Sequence, residues 1–489
     1  ILTEPTGTTI VEPDWQAEVD QRGNLILTRL TAKVQAAAAG TQADPDLLEV
    51  MGSLFMSVAD QMGATLANTS WSVNIKERLD FSCAIFDASG DLVANAPHVP
   101  VHLGSMSDSI KTVMRMNPDI KPGDADALNS PFNGGTHLPD VTVVTPVFVD
   151  GGPRFWLGAR GHHADIGGRT PGSAPPDSTT IHEEGVVIDN LHLVDRGTLR
   201  EEAAIQALSS GRYPCRNVPQ NMADLKAQIA ANETGRRELL NVVDRYGLDV
   251  VTAYMGHVQD NAEESVRRVI DRLNDGAFTY PMDEGQQIQV AVRVDPAARA
   301  ATIDFTGTSA RHAGNYNAPF AVCRAVVLYV FRTLVGTNIP LNEGCLKPLN
   351  IIAPKGTMLN PEAPAAVIAG NTEVSQAACN ALYGALGVIA GSQATMNNFV
   401  WGNDDFQNYE TIAGGTGAGP GFHGCDAVQS HMTNTRMTDP EVLEKRFPVR
   451  LESFTIREGS GGAGHSEIDL PAESTYILKT PGGGGWGPS

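Results

Sequence analysis

Two alternating apolar runs, Val141 to Phe148 and Arg154 to Arg160, meet at the turn Val149-Asp150-Gly151-Gly152-Pro153, and no other pattern constrains this chain as much. Period-two alternation around a glycine turn predicts an antiparallel hairpin. Paired residues in such a hairpin have numbers that sum to a constant, and Asp140 and His162 give 302, centred on Gly151. They should therefore face each other at the open end. The flanking segments are His137-Leu-Pro-Asp140 and Gly161-His-His-Ala-Asp165, so two imidazoles and a carboxylate converge there. Neutral imidazoles and an ionised carboxylate arriving from different directions are what a divalent metal needs. The same residue types also suit a hydrogen-bonded polar cluster at a strand end, and the residues alone leave both readings open. His163, one position along, should point to the opposite face.

Other segments take their places around this hairpin. Leu47, Leu48, Met51, Leu54, Phe55, Val58, Met62 and Leu66 recur at three/four spacing and predict one amphipathic helix over 46–68. Asp80-Phe-Ser-Cys-Ala-Ile-Phe86 alternates as a strand, and Asp87-Ala-Ser-Gly-Asp91 reads as the turn into a second. His98-Val-Pro-Val-His102 reads as extended, with Pro100 limiting any helix. Its two imidazoles would then be about 13 Å apart at roughly 3.3 Å per residue, too far for one ion. One of them at most lines the site. From Gln220 to Leu273 the pattern becomes helical; Gln287 to Asp295 and Arg299 to Thr306 form another hairpin, and Ala321 to Val335 an apolar helix.

These readings define a mixed α/β, multidomain chain: a hairpin-rich metal-binding domain over 1–215, a helical subdomain over 216–278 and a glycine-rich α/β domain over 279–489. The balance of 35 basic and 56 acidic residues, a net charge of −21, opposes non-specific binding to nucleic acid or anionic membranes. Partners should be proteins and small molecules. Six single cysteines without a Cys-x-x-Cys pair fit a reducing compartment and buried thiols, and with no long apolar run the default is cytoplasmic. The run Gly414 to Gly421 follows no good strand and opens onto Pro420, which is wrong for a dinucleotide fingerprint, and no Gly-x-x-x-x-Gly-Lys-Ser/Thr occurs. Close backbone approach in loops is its expected role.

Several stretches together resemble the hydantoinase B/oxoprolinase family, the metal-bearing subunit of ATP-dependent lactam and hydantoin hydrolases, with acetone and acetophenone carboxylase subunits as relatives. They are Glu77-Arg-Leu-Asp-Phe-Ser-Cys83, His98 to Met106, Gly134 to Pro146, Arg160 to Gly168, Thr395-Met-Asn-Asn398, Tyr409 to Gly421, His431-Met-Thr-Asn-Thr-Arg436, Ser460 to Gly464 and Thr480 to Gly485. The resemblance implies a metal held by Asp80, His137, Asp140 and His162; Asp80 alone reads as a strand-end cap. It also implies an ATP-binding A subunit of the actin-like type, which fits the missing phosphate loop. The chain departs from the family at Asn129-Ser130-Pro131, where members commonly carry Asn-Asp-Pro, and it is shorter than its relatives between Gly464 and Thr480.

The reading is ATP-coupled hydrolysis of a cyclic amide such as 5-oxoproline or a hydantoin. The partner subunit spends the ATP and two copies of each subunit assemble. Zinc suits the ligand set first, with manganese or iron tolerated. His102, His163 and Asp165 are candidates to orient ligands or move protons. Two rivals stand: a ketone carboxylase subunit, and a non-catalytic scaffold of the A subunit.

Overall fold

The computed structural model describes residues 2–4, 7–11, 15–30, 40–96, 98–337 and 339–456. The glycine runs at Ser460 and Thr480, and the short interval between them, lie outside the described residues. Two small antiparallel pairs come first, β1 (Leu2–Glu4) with β2 (Gly7–Thr9) and β3 (Trp15–Val19) with β4 (Leu25–Arg29). The amphipathic segment then forms α1 (Pro45–Thr69). The Asp44 side chain caps it by accepting from Leu47 N, and Pro45 opens it where no N–H is needed. Met51, Phe55, Val58, Met62 and Leu66 make its buried stripe.

After the short α2 (Val73–Lys76), a seven-stranded antiparallel sheet organises the amino-terminal half. Its strands are β5 (Phe81–Phe86), β6 (Leu92–Asn95), β7 (Ala125–Leu128), β8 (Asp140–Val149), β9 (Gly152–His162), β10 (Leu191–Asp195) and β11 (Thr198–Leu199), in spatial order β11-β10-β7-β8-β9-β5-β6. Pleating sends Cys83, Ile85, Phe155 and Leu157 into a core with α1, while Ala84, Phe86, Val144 and Trp156 face α3 (Pro100–Met116). Both faces are covered, which is why β5 is buried at every position.

The extended conformation expected for His98 to His102 is corrected here: Pro100 is the first residue of α3. At that position the missing N–H has no intrahelical partner to lose and the fixed φ suits the helix, so proline starts the helix instead of preventing it.

Following α4 (Glu201–Leu208), the helical region forms α5 (Val218–Tyr246) and α6 (Leu248–Ile270). Expected as a subdomain, these helices share one buried cluster with α1 and the sheet: Ala227, Ala231, Leu239, Val251 and Tyr254 pack with Phe55, Met62 and Leu157. The second sheet has order β12 (Gly276–Pro281), β13 (Gln287–Asp295), β14 (Ala300–Asp304), β15 (Leu349–Ile352), with β15 parallel to β14. It packs on α7 (Phe320–Thr333) and α8 (Ser375–Leu386). The ribbon β16 (Asn398–Gly402) and β17 (Gln407–Thr411), the bridged loops Gly415↔Asp426 and Gly419↔Phe422, and α9 (Pro440–Arg446) complete the described chain. Of the six cysteines, only Cys425 is exposed, and no disulfide forms among them.

The halves meet closely where α3 crosses α7. A Cβ on Gly104 would lie 2.4 Å from Ala325 Cα, a backbone atom that cannot swing aside. Gly104→Ala gains about 1 kcal/mol in helix propensity, but overpacking costs typically about 1–3 kcal/mol. Because the clash is with backbone, the second effect should win. We expect a lower thermal midpoint by scanning calorimetry; an unchanged or raised midpoint would show that α3 and α7 can separate freely.

Candidate metal centre

The register places Asp140, the first residue of β8, opposite His162, the last of β9. The constant sum holds from there to Val147↔Phe155 and slips by one at a bulge beside the turn, at the end away from the site. A turn returns His137 to the same place: Asp140 N donates to His137 O at 3.2 Å, and His137 Nδ1 lies 2.9 Å from Asp140 Oδ2. Ligand atoms of His137, Asp140 and His162 all lie within 4.8 Å of one another. The three side chains are buried, at 1%, 0% and 3% exposure.

Burial pushes the His162 imidazole well below its ordinary pKa, so the ring is neutral. For Asp140 burial acts upward, but the adjacent imidazoles of His102 and His137 more than offset it and hold the carboxyl well below its usual range. His162 Nδ1 faces the Asn74 amide at 3.0 Å, while His162 Nε2 and Asn74 Oδ1 are buried without hydrogen-bond partners. Turning the Asn74 amide over lets Oδ1 accept from Nδ1–H, and that tautomer leaves Nε2 with a free lone pair. The ring also stacks on Tyr409 of β17, with centroids 4.6 Å apart.

Around Asp140 the chain supplies donors from separate segments. Thr136 Oγ1 donates to Oδ2 at 2.8 Å, His102 Nε2 to Oδ1 at 3.0 Å, and Asn371 Nδ2 approaches Oδ2 at 3.4 Å. With Nε2–H directed at Asp140, His102 Nδ1 accepts from Ser82 Oγ at 3.3 Å. His98, the other imidazole of that segment, instead accepts from Cys83 N.

Asp80 stands beside the trio but outside the 4.8 Å group. Its backbone O accepts from His162 N at 3.0 Å, and its carboxylate lies 3.7 Å from Arg78 Nη2. Burial raises its pKa, with Arg78 opposing the rise. His163 turns away, as alternation requires, to Gln228 at 3.2 Å and Asn221 at 3.0 Å on α5. Asp165 accepts from Gly167 N, Gly172 N and Arg216, so it holds its own loop and does not reach the trio. Thr136, Asn74, Arg78, Tyr409 and Asn371 were given no role in the sequence reading. Arg78 and Tyr409 lie within resemblance stretches, whereas Asn371 belongs to no motif read from the chain.

A second His/Asp group within the same spacing, Asp124, His192 and Asp195, is otherwise engaged. Asp124 accepts from the backbone of Lys121 and Arg196, and Asp195 pairs with the Arg196 side chain.

A family model described as hydantoinase B/oxoprolinase matches residues 44–467. The chain belongs to the hydantoinase B/oxoprolinase family. A 5-oxoprolinase of Dictyostelium discoideum is 44% identical over 475 residues, covering 95% of this chain but 37% of that protein, so the chain spans well under half of that relative's length. An uncharacterized protein of Methanocaldococcus jannaschii is 35% identical over 447 residues, covering 89% of this chain and 79% of that one. In fold, the chain resembles the ATP-dependent caprolactamase of Pseudomonas jessenii, with a TM-score of 0.77 at 24% identity and 91% of each chain covered.

The fully buried Arg78 ties the centre together. It lies 3.7 Å from Asp80 and 3.4 Å from Glu410, donates to Tyr409 O at 2.7 Å and to Thr411 Oγ1 at 2.5 Å, and rests over the Tyr409 ring. Removing one member of a buried ion pair typically costs about 3–5 kcal/mol. Arg78→Met should therefore lower unfolding free energy by that order in denaturant titrations, and Arg78→Lys by less. Stability unaffected by Arg78→Met would mean that the guanidinium is not what compensates the two acids.

Proposed function

We propose that His137, Asp140 and His162, joined by Asp80, hold one divalent metal, and that this chain is the metal-bearing part of an ATP-dependent hydrolase of cyclic amides. The observation that carries the reading is the buried group itself. His162 Nε2 has no hydrogen-bond partner and His137 Nδ1 has only the Asp140 carboxylate beside it, so both nitrogens fit ligands for a cation. Two imidazoles and carboxylates suit zinc first, and manganese or iron also. When bound, such a cation supplies Lewis acidity, polarising a carbonyl and making water more acidic.

The protein's own groups prepare that chemistry. His102 and Thr136 fix the Asp140 carboxylate from both sides, and Asn74 and Tyr409 fix the ring plane of His162. His163 and Asp165 act behind the strand end, anchoring α5 and the 165–172 loop. An unstrained lactam resists water because resonance stabilises its carbonyl. Transfer of the ATP γ-phosphoryl to the carbonyl oxygen, with release of ADP, removes that resistance; water then adds to the activated carbon, the ring C–N bond breaks as the nitrogen takes a proton, and a second water releases inorganic phosphate from the resulting acyl phosphate to leave the carboxylate. The first step belongs to an ATP-binding partner, since the chain has no phosphate loop. The assembly carries two copies of each subunit and works in the cytoplasm. No helix among the described residues is long and apolar enough to cross a membrane. The substrate is 5-oxoproline or a hydantoin-type ring, as the naming of the 44% identical relative supports.

Two outcomes test the reading. Purified chain should contain about one transition metal, and His162→Ala should lose most of it by elemental analysis, because one of four ligands is gone. Full occupancy in that variant would refute the ligand assignment. The isolated chain should release no ADP from ATP, whereas the chain co-assembled with its ATP-binding partner should do so in a lactam-dependent way. Robust ATP turnover by the chain alone would overturn the division of labour.

A further inference from the structure

The carboxy-terminal half sends one side chain to the trio. Asn371 belongs to a π turn, Gly370–Val374, closed by Ser375 N donating to Gly370 O and leading into α8. Such turns often occur at functional sites. This one is held rigidly. A Cβ on Gly370 would lie 1.9 Å from Asn317 O, and the segment just before it is fixed by the Glu184 carboxylate, which accepts from Val367 N and Ile368 N at 3.0 Å. Ser375 Oγ adds a bond to Asn371 O at 2.6 Å.

The Asn371 amide is 4% exposed and has unequal ends. Nδ2 faces Asp140 Oδ2 at 3.4 Å, which is long for a hydrogen bond. Turning the amide over would set two oxygens against each other, so the carbonyl end must face away from Asp140. That oxygen, Oδ1, is buried and has no partner. A buried acceptor without a donor is unfavourable unless a ligand or an ordered water supplies one. The site thus presents an unpaired acceptor beside the proposed metal ligands, on a backbone that cannot withdraw it.

Given the proposed cyclic amide chemistry, on which this step rests, we infer that Asn371 Oδ1 accepts the ring N–H of the substrate and makes this a site for secondary cyclic amides. A lactam or hydantoin with a free N–H offers one donor next to the carbonyl carbon to be attacked. An N-alkylated ring offers none and would leave Oδ1 unpaired. Asn371 is then a specificity-determining residue contributed by the half of the chain that supplies none of the metal ligands.

The test uses the complex of this chain with its ATP-binding partner and compares kcat/KM for a lactam and its N-methyl counterpart. Sites built to hydrogen-bond a substrate group reject analogues lacking it by large factors, so wild type should prefer the N–H substrate by about 100-fold or more. Asn371→Leu keeps the volume and removes the acceptor, and should reduce that preference to within a few fold while metal content stays unchanged. Asn371→Ala provides the same comparison if the leucine variant does not fold. Discrimination by the partner subunit is common to all variants and cancels. An undiminished preference in the variant overturns the inference and leaves the hydrolase reading intact. Loss of metal in the variant also overturns it, making Asn371 a support of the centre. If wild type opens neither ring, the hydrolase reading falls and the inference with it.

Discussion

A fully buried carboxylate, Asp140, sets the terms for the rest of the molecule. Moving an ion of that size out of water costs several kcal/mol even after relaxation, unless donors replace the lost hydration. Here they come from Thr136 just ahead of β8, from His102 on α3 and from Asn371 ahead of α8. Those residues span much of the sequence. The sheet, the two helices and the π turn must all be in place before the charge is satisfied, so the architecture and the site stabilise each other.

A second buried charge supports the first. Arg160, on β9, donates to Thr142, Ser105, Ser109 and the carbonyl of His102 and pairs with no carboxylate among the described residues. Burial lowers its pKa to about 10, which still leaves it a cation at neutral pH, and Asp140 is the foremost charge favouring that form. Its bonds gather the first turns of α3, where His102 resides, onto the strand that ends in His162. One guanidinium therefore offsets the charge of Asp140 at longer range and fixes the helix from which Asp140 is held. Its acceptors are neutral, so it adds no competing anion to the centre.

What the sequence made legible is whatever a short-range pattern encodes. Period-two alternation and a turn at Gly151 suffice to set Asp140 against His162, and the three/four spacing of Met51 to Leu66 suffices for α1. Pro100 misled because the same residue breaks a helix inside and starts one at its end; the choice depends on the packing of Leu103, Met106 and Ile110 against the sheet. The helices over 218–270 show an apolar face but not what covers it, which is α1 and the seven-stranded sheet. The contacts of Arg78, Tyr409 and Asn371 leave no local pattern, because the partners lie 331 residues apart for the Arg78–Tyr409 bond and 231 for Asn371 with Asp140. Asp80 entered only through family resemblance, and its side chain faces Arg78 more closely than the trio.

The centre is also closed. A cavity of about 510 Å³ lined by Trp71, Val73, Ala164 and Gln407 lies on one side, and one of about 430 Å³ lined by Tyr316, Glu373 and Thr395 on another, but none of the trio lines either. The trio itself is buried, at 3% exposure or less. The π turn is fixed from behind by Glu184 and by Asn317, whereas β17 belongs to a two-stranded ribbon that Arg78, Gln429 and Thr438 hold in place. Displacing β17 would break the Arg78 bonds to Tyr409 O and Thr411 Oγ1 and separate Arg78 from Glu410, while Asp80, which precedes β5, stays within its reach. Uncovering the stacked face of His162 is thus coupled to a redistribution of charge beside Asp80. The same buried arginine thus touches both the strand whose tyrosine stacks on His162 and the acid beside the trio.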